Sequence, residues 1–495
     1  MKKLSLVVAL LLANFTLAQA QWISPGNGTT YTMASLADDS EGCVEFVEGG
    51  TFRINNDLTI SENDRLVIAD NEDIVLVNDQ VTITIQGSFS CQHHDSYVEI
   101  KAENDGHYNL RFENATGCLL NGIKFKYGGG FMIIESEVVF DDCYFVHFNT
   151  QSNNAAVNYM NCDPVFKGCT FKNNDGAAIA SGVNVNGSPT ITDCYFFNNV
   201  ITNQNLPQIN LGPGAEDSIR IVGNTIEGNH YSMSGGIAIT DLMGTGSTKV
   251  LLKGNEIKNN RYGYNQQGMV ISSLITDNLF IDNDAEVDPM NGGSGISIYG
   301  YSTDMKAKLR RNTITGNQWG ITAIYYNDID MGTEDDWGYN IISGNHNSAY
   351  GEDAVFAIYN NSFSDISAIG NYWGTDDEAE VENVIYHFPD LGEGYGTVTY
   401  LPFLQDDPTS VNQHFAANCE INVFPNPNQG RFTINCTAGN AQIDIFNTMG
   451  QLVFTGQLKE GDNSIDLSHL NSGMYFAMVN GNEIINQKTT ILITE

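Results

Sequence analysis

Basic residues are scarce in this chain. Lys and Arg number 22 against 59 Asp and Glu, a formal charge of −37 over 495 residues. That balance argues against nucleic acid and anionic membrane surfaces as partners, because those affinities come from Lys and Arg meeting phosphate. Proline is also rare, 11 residues beside 49 glycines. Many tight backbone positions with few prolines suit a β-protein full of turns and exclude a Pro-rich linker protein. Beyond the first twenty positions no run of about 18 apolar residues occurs, so no transmembrane helix is predicted. The nine cysteines contain no Cys-x-x-Cys, which argues against a zinc ribbon or a thioredoxin-like site. Their odd number leaves at least one thiol without an internal partner. What the chain does have is core-forming material, 41% hydrophobic residues, so it is not globally disordered.

Residues 1–20 read as a secretory signal. Lys2 and Lys3 start it, an apolar run follows from Leu4 to Leu12, and Ala18-Gln19-Ala20 supplies small-x-small cleavage residues. Export permits disulfides. Cys419 and Cys436 are one candidate pair.

The middle of the chain repeats itself. Val139-Phe-Asp-Asp-Cys143-Tyr-Phe145, Val165-Phe-Lys-Gly-Cys169-Thr-Phe171 and Thr190-Ile-Thr-Asp-Cys194-Tyr-Phe196 align without gaps. Further on, Asn takes the Cys position at Asn224, Asn255, Asn278, Asn312, Asn340 and Asn371, and upstream Ile123 fits the same slot. The spacing averages about 28 residues, within the range of stacked repeats. Two residues after each anchor lies an apolar residue, from Phe125 and Phe145 to Ile342 and Trp373. Five residues after it lies Asn174, Asn199, Asn229, Asn260, Asn283, Asn317 or Asn345. Period two places anchor and apolar residue on one strand face. One repeat is too small to bury its own apolar side. Stacked coils, roughly 4.8 Å apart, would align like residues into ladders. In such a ladder each Asn amide donates to one neighbour and accepts from the other. The pattern predicts an all-β protein, a right-handed parallel β-helix over 45–404, preceded by a cap region at 21–44. A linker is expected at 405–418, then a small C-terminal β-sandwich over 419–495.

The repeat region resembles the secreted β-helix repeat proteins of bacteria. The matching features are Gly50-Thr-Phe-Arg-Ile54 with Leu58-Thr-Ile60, the Asn224-x-Ile-x-x-Asn229 signature, and Gly370-Asn-Tyr-Trp-Gly374 near the last coil. The tail resembles the type IX secretion system C-terminal sorting domain of Bacteroidetes, through Phe424-Pro-Asn-Pro427 with Gly430, Ile445-Phe-Asn-Thr-Met-Gly450 and Leu470-Asn-Ser-Gly-Met-Tyr475. This resemblance implies the type IX machinery as a partner of 419–495. It also implies passage across the outer membrane to the cell surface or the medium.

Chemistry is less legible. The segment Asn327-Asp-Ile-Asp-Met-Gly-Thr-Glu-Asp-Asp336 gathers Asp328, Asp330, Glu334, Asp335 and Asp336. Calcium takes six to eight such oxygens, so these residues are the candidate metal ligands. Tyr231, Tyr262 and Trp319 each lie seven residues after an anchor, and Tyr325, Tyr326 and Trp337 crowd the insertion before Asn340. These six rings are the candidate glycan contacts. Arg220, Lys253, Arg310 and Arg311 fall at related positions and read as outward residues balancing acid. His93 and His94 lack a spaced metal partner. Cys143, Cys169 and Cys194 read as buried small hydrophobes. No catalytic residue can be nominated. Three functions follow as expectations: non-catalytic binding of extracellular polysaccharide, calcium-assisted polysaccharide lysis or hydrolysis, and a structural spacer or adhesin.

Overall fold

A computed structural model describes residues 21–92, 96–104, 106–150, 154–244, 247–351, 354–408, 422–436, 441–447, 451–459, 461–481 and 484–494. The proposed signal segment, His93, His94 and Cys419 lie outside these residues, as does the side chain of Cys436. The chain forms two compact units, one ending at Leu404 and one beginning at Gln405.

The first unit is a three-faced prism of stacked coils. One face is a 13-stranded sheet, parallel except for its first pair. Its central strands include Ile123–Lys126, Tyr144–Val146, Thr170–Lys172, Tyr195–Phe197, Thr225–Glu227 and Glu256–Lys258. The second and third faces are joined in a 26-stranded sheet. In most coils a corner separates them, as between Ser234–Asp241 and Thr248–Lys253. In two coils they merge into single long strands, Ser294–Arg310 and Trp319–Asp330.

The apolar position of the repeat becomes one column on the first face. Phe125, Phe145, Phe171, Phe196, Ile226, Ile257, Phe280, Ile314 and Ile342 pair in unbroken register. All are fully buried. The phenyl rings stack face to face, with centroids 4.5 Å apart for Phe145–Phe171 and 5.0 Å for Phe171–Phe196.

The anchor column runs beside it as a hydrogen-bonded ladder. Side-chain amides link Asn224, Asn255, Asn278, Asn312, Asn340 and Asn371, each Nδ2 donating to the next Oδ1 at 2.8–2.9 Å. From Asn224 to Asn340 each anchor also donates to a carbonyl of the previous coil, three residues before that coil's own anchor, whereas Asn371 reaches Met331 O. Asn255 reaches Ile221 O and Asn278 reaches Leu252 O, both at 2.9 Å. The cysteines occupy this geometry too: Cys143 Sγ lies 3.3 Å from Leu120 O and Cys169 Sγ 3.4 Å from Phe140 O. A thiol is a weak donor of the right reach, which explains why Cys replaces Asn here. All three thiols are free and buried.

The corner that delivers each anchor has one backbone requirement. Gly122, Asp142, Gly168, Asp193, Gly223, Gly254, Asp277, Arg311, Tyr339 and Gly370, each just before an anchor, all have φ between 50° and 71°. That left-handed residue bends the chain from the third face to the first and turns the next side chain inward.

The second ladder departs from expectation at one rung. Asn174 donates to Asn199 at 2.7 Å, but Asn199 then donates to Gln208 Oε1 at 2.9 Å, and Gln208 Nε2 donates to Asn260 at 3.0 Å. From there Asn260, Asn283, Asn317 and Asn345 continue at 2.9–3.1 Å. Asn229 is exposed and donates to Asn198 at 3.2 Å. Its tier is adjacent to that of Asn260, through the pairing of Ile226 with Ile257. The bend in this coil is displaced, however. Neighbouring coils carry the left-handed residue four positions after the anchor, as at Asn198 and Asn259, whereas here it is His230. The displacement rotates Asn229 outward, and Gln208 from the second face supplies the missing amide.

The 21–44 segment is more than a cap. Trp22–Ile23 and Thr30–Tyr31 pair in parallel with Leu58–Ile60 and Arg65–Ile68, forming an opening coil. The helix Met33–Asp39 follows, capped by Thr32, and buries Met33 and Leu36 in the core. Near the other end, Trp373 is buried and the helix Glu378–Val384 buries Val381.

The second unit has two antiparallel sheets. Asn422–Phe424, Arg431–Cys436 and Gly461–Asp466 form one, and Leu452–Leu458, Ala441–Asn447, Gly473–Gly481 and Ile484–Ile493 the other. Phe432, Ile434, Ile443, Ile445, Tyr475 and Val479 share its core.

Candidate functional site

The two merged strands create the most distinctive surface of the prism. In register, Tyr301 lies beside Tyr326 and Gly300 beside Tyr325, while Tyr325 lies beside Ser362 of the following coil. Side chains on a strand normally alternate between faces. Tyr325 and Tyr326 are nonetheless both exposed, at 40% and 46%. The φ of Tyr325 is 60°, and this left-handed residue breaks the alternation. Gly300 is required opposite it, since a Cβ there would lie 1.7 Å from Tyr326 O.

The result is an aromatic strip across four successive coils. Ring centroids are separated by 5.5 Å for Tyr299–Tyr301 and 5.2 Å for Tyr299–Tyr325. The strip continues through Tyr326–Phe363 at 5.1 Å and Phe363–Tyr395 at 6.1 Å. Tyr301 and Phe363 are 41% and 49% exposed. Gln267 Nε2 donates to the Tyr301 hydroxyl at 3.1 Å. Desolvation, followed by the neighbouring Tyr325 hydroxyl, pushes the Tyr299 phenol up to about 12. Exposed rings beside amides and hydroxyls offer apolar faces together with directional hydrogen bonds.

Of the six rings expected to contact a ligand, Tyr325 and Tyr326 lie in this strip. Trp319 does not. It is 1% exposed, packs on Phe356 at 4.2 Å and Tyr359 at 5.1 Å, and donates Nε1 to Val287 O at 3.2 Å. It pins the 284–293 loop, which Gln318 and Asn347 also hold, at Asp284 O and Val287 O. Tyr262 is half-buried over Gly235, Trp337 is half-buried over Gly370, and Tyr231 is half-buried. Equal offsets from the anchors therefore did not produce an exposed column. The sequence reading missed Tyr299, Tyr301, Phe363 and Tyr395. The Tyr-Gly-Tyr at 299–301 was the available signal.

The acidic segment faces cations instead of forming one cluster. Asp328 lies 3.6 Å from Lys306 Nζ, and Lys308 Nζ lies 2.7 Å from Asp336. Arg310, 4% exposed, donates Nη2 to both Asp330 oxygens at 2.8 Å and to Asp336 at 2.9 Å. Glu334 and Asp335 are exposed. Among the described residues no three His, Cys, Asp or Glu converge on a metal position. The expected ligand set is thus divided, because the merged strands place Lys306, Lys308 and Arg310 directly against it. Arg311 pairs with Asp277 at 2.7 Å, while Arg220 and Lys253 are exposed.

This network carries a pH signature. Arg310, then Lys308, lowers the Asp336 carboxyl to about 2. A carboxyl whose pKa is depressed by folding stabilises the native state above its unfolded pKa. That contribution is lost as pH falls through the folded value. Asp336→Asn and the unchanged protein should therefore differ in Tm near neutral pH and converge as pH falls toward 2. A gap that stays constant across that window in thermal melts would contradict the pairing.

Residues 180–333 match the family described as right handed beta helix region, and residues 422–494 match the secretion system C-terminal sorting domain. No curated protein matches the chain. Among solved structures, the periplasmic alginate epimerase AlgG is 12% identical, with 75% of this chain and 83% of that one covered and a TM-score of 0.45. A tailspike protein double mutant of E. coli bacteriophage HK620 is also 12% identical, with 94% and 86% covered and a TM-score of 0.37. No helix among the described residues is long and apolar enough to cross a membrane. The chain is a right-handed parallel β-helix protein ending in a secretion-system C-terminal sorting domain, which implies export across the outer membrane.

Proposed function

We propose that the exported β-helix binds extracellular glycan, without catalysis, along the strip of Tyr299, Tyr301, Tyr325, Tyr326, Phe363 and Tyr395. The observation that carries this reading is the run of ring contacts over four coils, half-exposed along the merged strands and the coils that follow them. Sugar rings present C–H faces to aromatic faces and hydroxyls to amides. A ladder of rings on a preorganised scaffold loses little side-chain freedom on binding. The non-catalytic part rests on the neighbouring carboxylates. Asp330 and Asp336 are both held in ion pairs by Arg310.

The test is a panel of soluble neutral glycans against the full chain and a Tyr326→Ala/Phe363→Ala variant. Removing two rings should weaken binding about tenfold, from roughly 0.5–1.5 kcal/mol per ring contact. Unchanged affinity would remove the strip as the site. Release of new reducing ends from any bound glycan would overturn the non-catalytic reading.

A further inference from the structure

The first face carries a second surface of different chemistry, over the coils from 98 to 197. Its outward residues form two columns. Lys124, Tyr144, Thr170 and Tyr195 follow one another in register, as do Lys126, Val146, Lys172 and Phe197. In a chain with only 22 basic residues, this is a concentration of lysine.

The lysines divide into two kinds. Lys126 and Lys101 share Glu99, each at 2.5 Å. Lys124 and Lys172 rest on aromatic rings: Lys124 Nζ lies 4.1 Å from the Tyr97 ring centroid and 5.4 Å from that of Tyr144, and Lys172 Nζ 5.2 Å from Phe197. No carboxylate among the described residues lies within ion-pair distance of either. The nearby acids are engaged. Asp142 accepts the Tyr97 hydroxyl at 2.8 Å, and Glu227 accepts that of Tyr195 at 3.2 Å. Asp141 faces Lys167 at 3.6 Å. Cation–π contact orients an ammonium group without neutralising it. The rings thus hold the Lys124 and Lys172 ammonium groups in place without supplying a counter-charge. The rings themselves stay accessible: Tyr195 is 37% exposed and stacks on Phe197 at 6.0 Å and 10°.

We infer that this face binds an anionic polysaccharide, with Lys124 and Lys172 meeting its carboxylate or sulfate groups and Tyr144, Tyr195 and Phe197 its sugar faces. Lys124 and Lys172 stand two tiers apart, roughly 10 Å along the axis at about 4.8 Å per strand. One small anion cannot reach both, so a polymer carrying repeated charge is the ligand that fits. Nucleic acid fits less well, since its affinity rests on many simultaneous phosphate contacts and the patch offers two uncompensated cations. This surface is separate from the aromatic strip and does not depend on it.

The full chain should bind polygalacturonate, dextran sulfate or both, and bind unsulfated dextran at this face not at all. Comparing the first two probes separates carboxylate from sulfate recognition. Lys124→Gln/Lys172→Gln should weaken binding about tenfold and flatten its salt dependence, with Tm lowered only slightly, because both side chains lie on the outward face and lose no more than a surface cation–π contact each. Lys124→Arg/Lys172→Arg should restore most of the affinity. Phe363→Ala, on the other surface, should leave polyanion binding intact. Equal affinity of the Gln variant and the unchanged protein would overturn the inference, as would equally tight binding of single-stranded DNA. A loss caused by Phe363→Ala and not by the lysine changes would assign the polyanion to the aromatic strip instead.

Discussion

Asn278→Ala is expected to lower the unfolding free energy of the β-helix by about 3–5 kcal/mol. Asn278 Oδ1 accepts from both the backbone N–H and Nδ2 of Asn255, while its Nδ2 donates to Leu252 O and to Asn312 Oδ1. All these side chains are at most 1% exposed. Truncation strands the Asn255 backbone N–H, leaves Asn255 Nδ2 with only its bond to Ile221 O, and takes a donor from the Leu252 carbonyl, all where water cannot reach them, and each orphaned buried group costs about 1–3 kcal/mol. Partial relaxation keeps the total below the simple sum. Urea unfolding should show a lower midpoint with an unchanged slope. A shift worth less than about 1 kcal/mol would mean that the ladder is replaceable by packing alone. The loss should also exceed that of Asn229→Ala, because Asn229 is exposed and outside the ladder.

Phe145→Ala is expected to cost about 3–5 kcal/mol, the range for emptying a large aromatic site in a close-packed core. Its ring lies between Phe125 at 5.3 Å and Phe171 at 4.5 Å, and meets Phe140 edge-on at 5.2 Å. A rigid stack on parallel strands cannot collapse sideways, since the main-chain register fixes the tier spacing. Phe145→Leu keeps most of the volume and should cost roughly 1–2 kcal/mol. Thermal melts of the three proteins would order as unchanged, Leu, Ala. Equal melting of the Leu and Ala variants would show that the stack contributes through shape and not through filled volume.

Both of these columns were legible in the sequence. The Phe145 column follows from a two-residue offset within one short strand, and strand geometry leaves no freedom over that distance. The Asn278 ladder likewise follows from the anchor itself. Five residues on, the inference weakens, because a turn intervenes. Asn260 and Asn283 turn inward, whereas Asn229 turns outward, since the left-handed residue in its coil is His230. Gln208 fills the gap from another face, and no repeat spacing would have pointed to it.

The aromatic surface marks the limit more sharply. Tyr231, Tyr262 and Trp319 share an offset of seven from their anchors, but Trp319 is buried beneath a loop pinned by its own indole. The exposed strip joins Tyr301, Tyr326, Phe363 and Tyr395, which share no common offset. The acidic segment was equally opaque, because the lysines and arginine that engage it come from the preceding coil.

The sequence by itself determined the stacked-coil architecture, the apolar column, the anchor ladder and the sorting tail, because each rests on residues a few positions apart in short strands and tight turns. Only the tertiary structure decided which rings reach solvent and which carboxylates meet cations. Coil lengths vary, so positions far from an anchor become neighbours through loop path and corner geometry, and no local spacing encodes those.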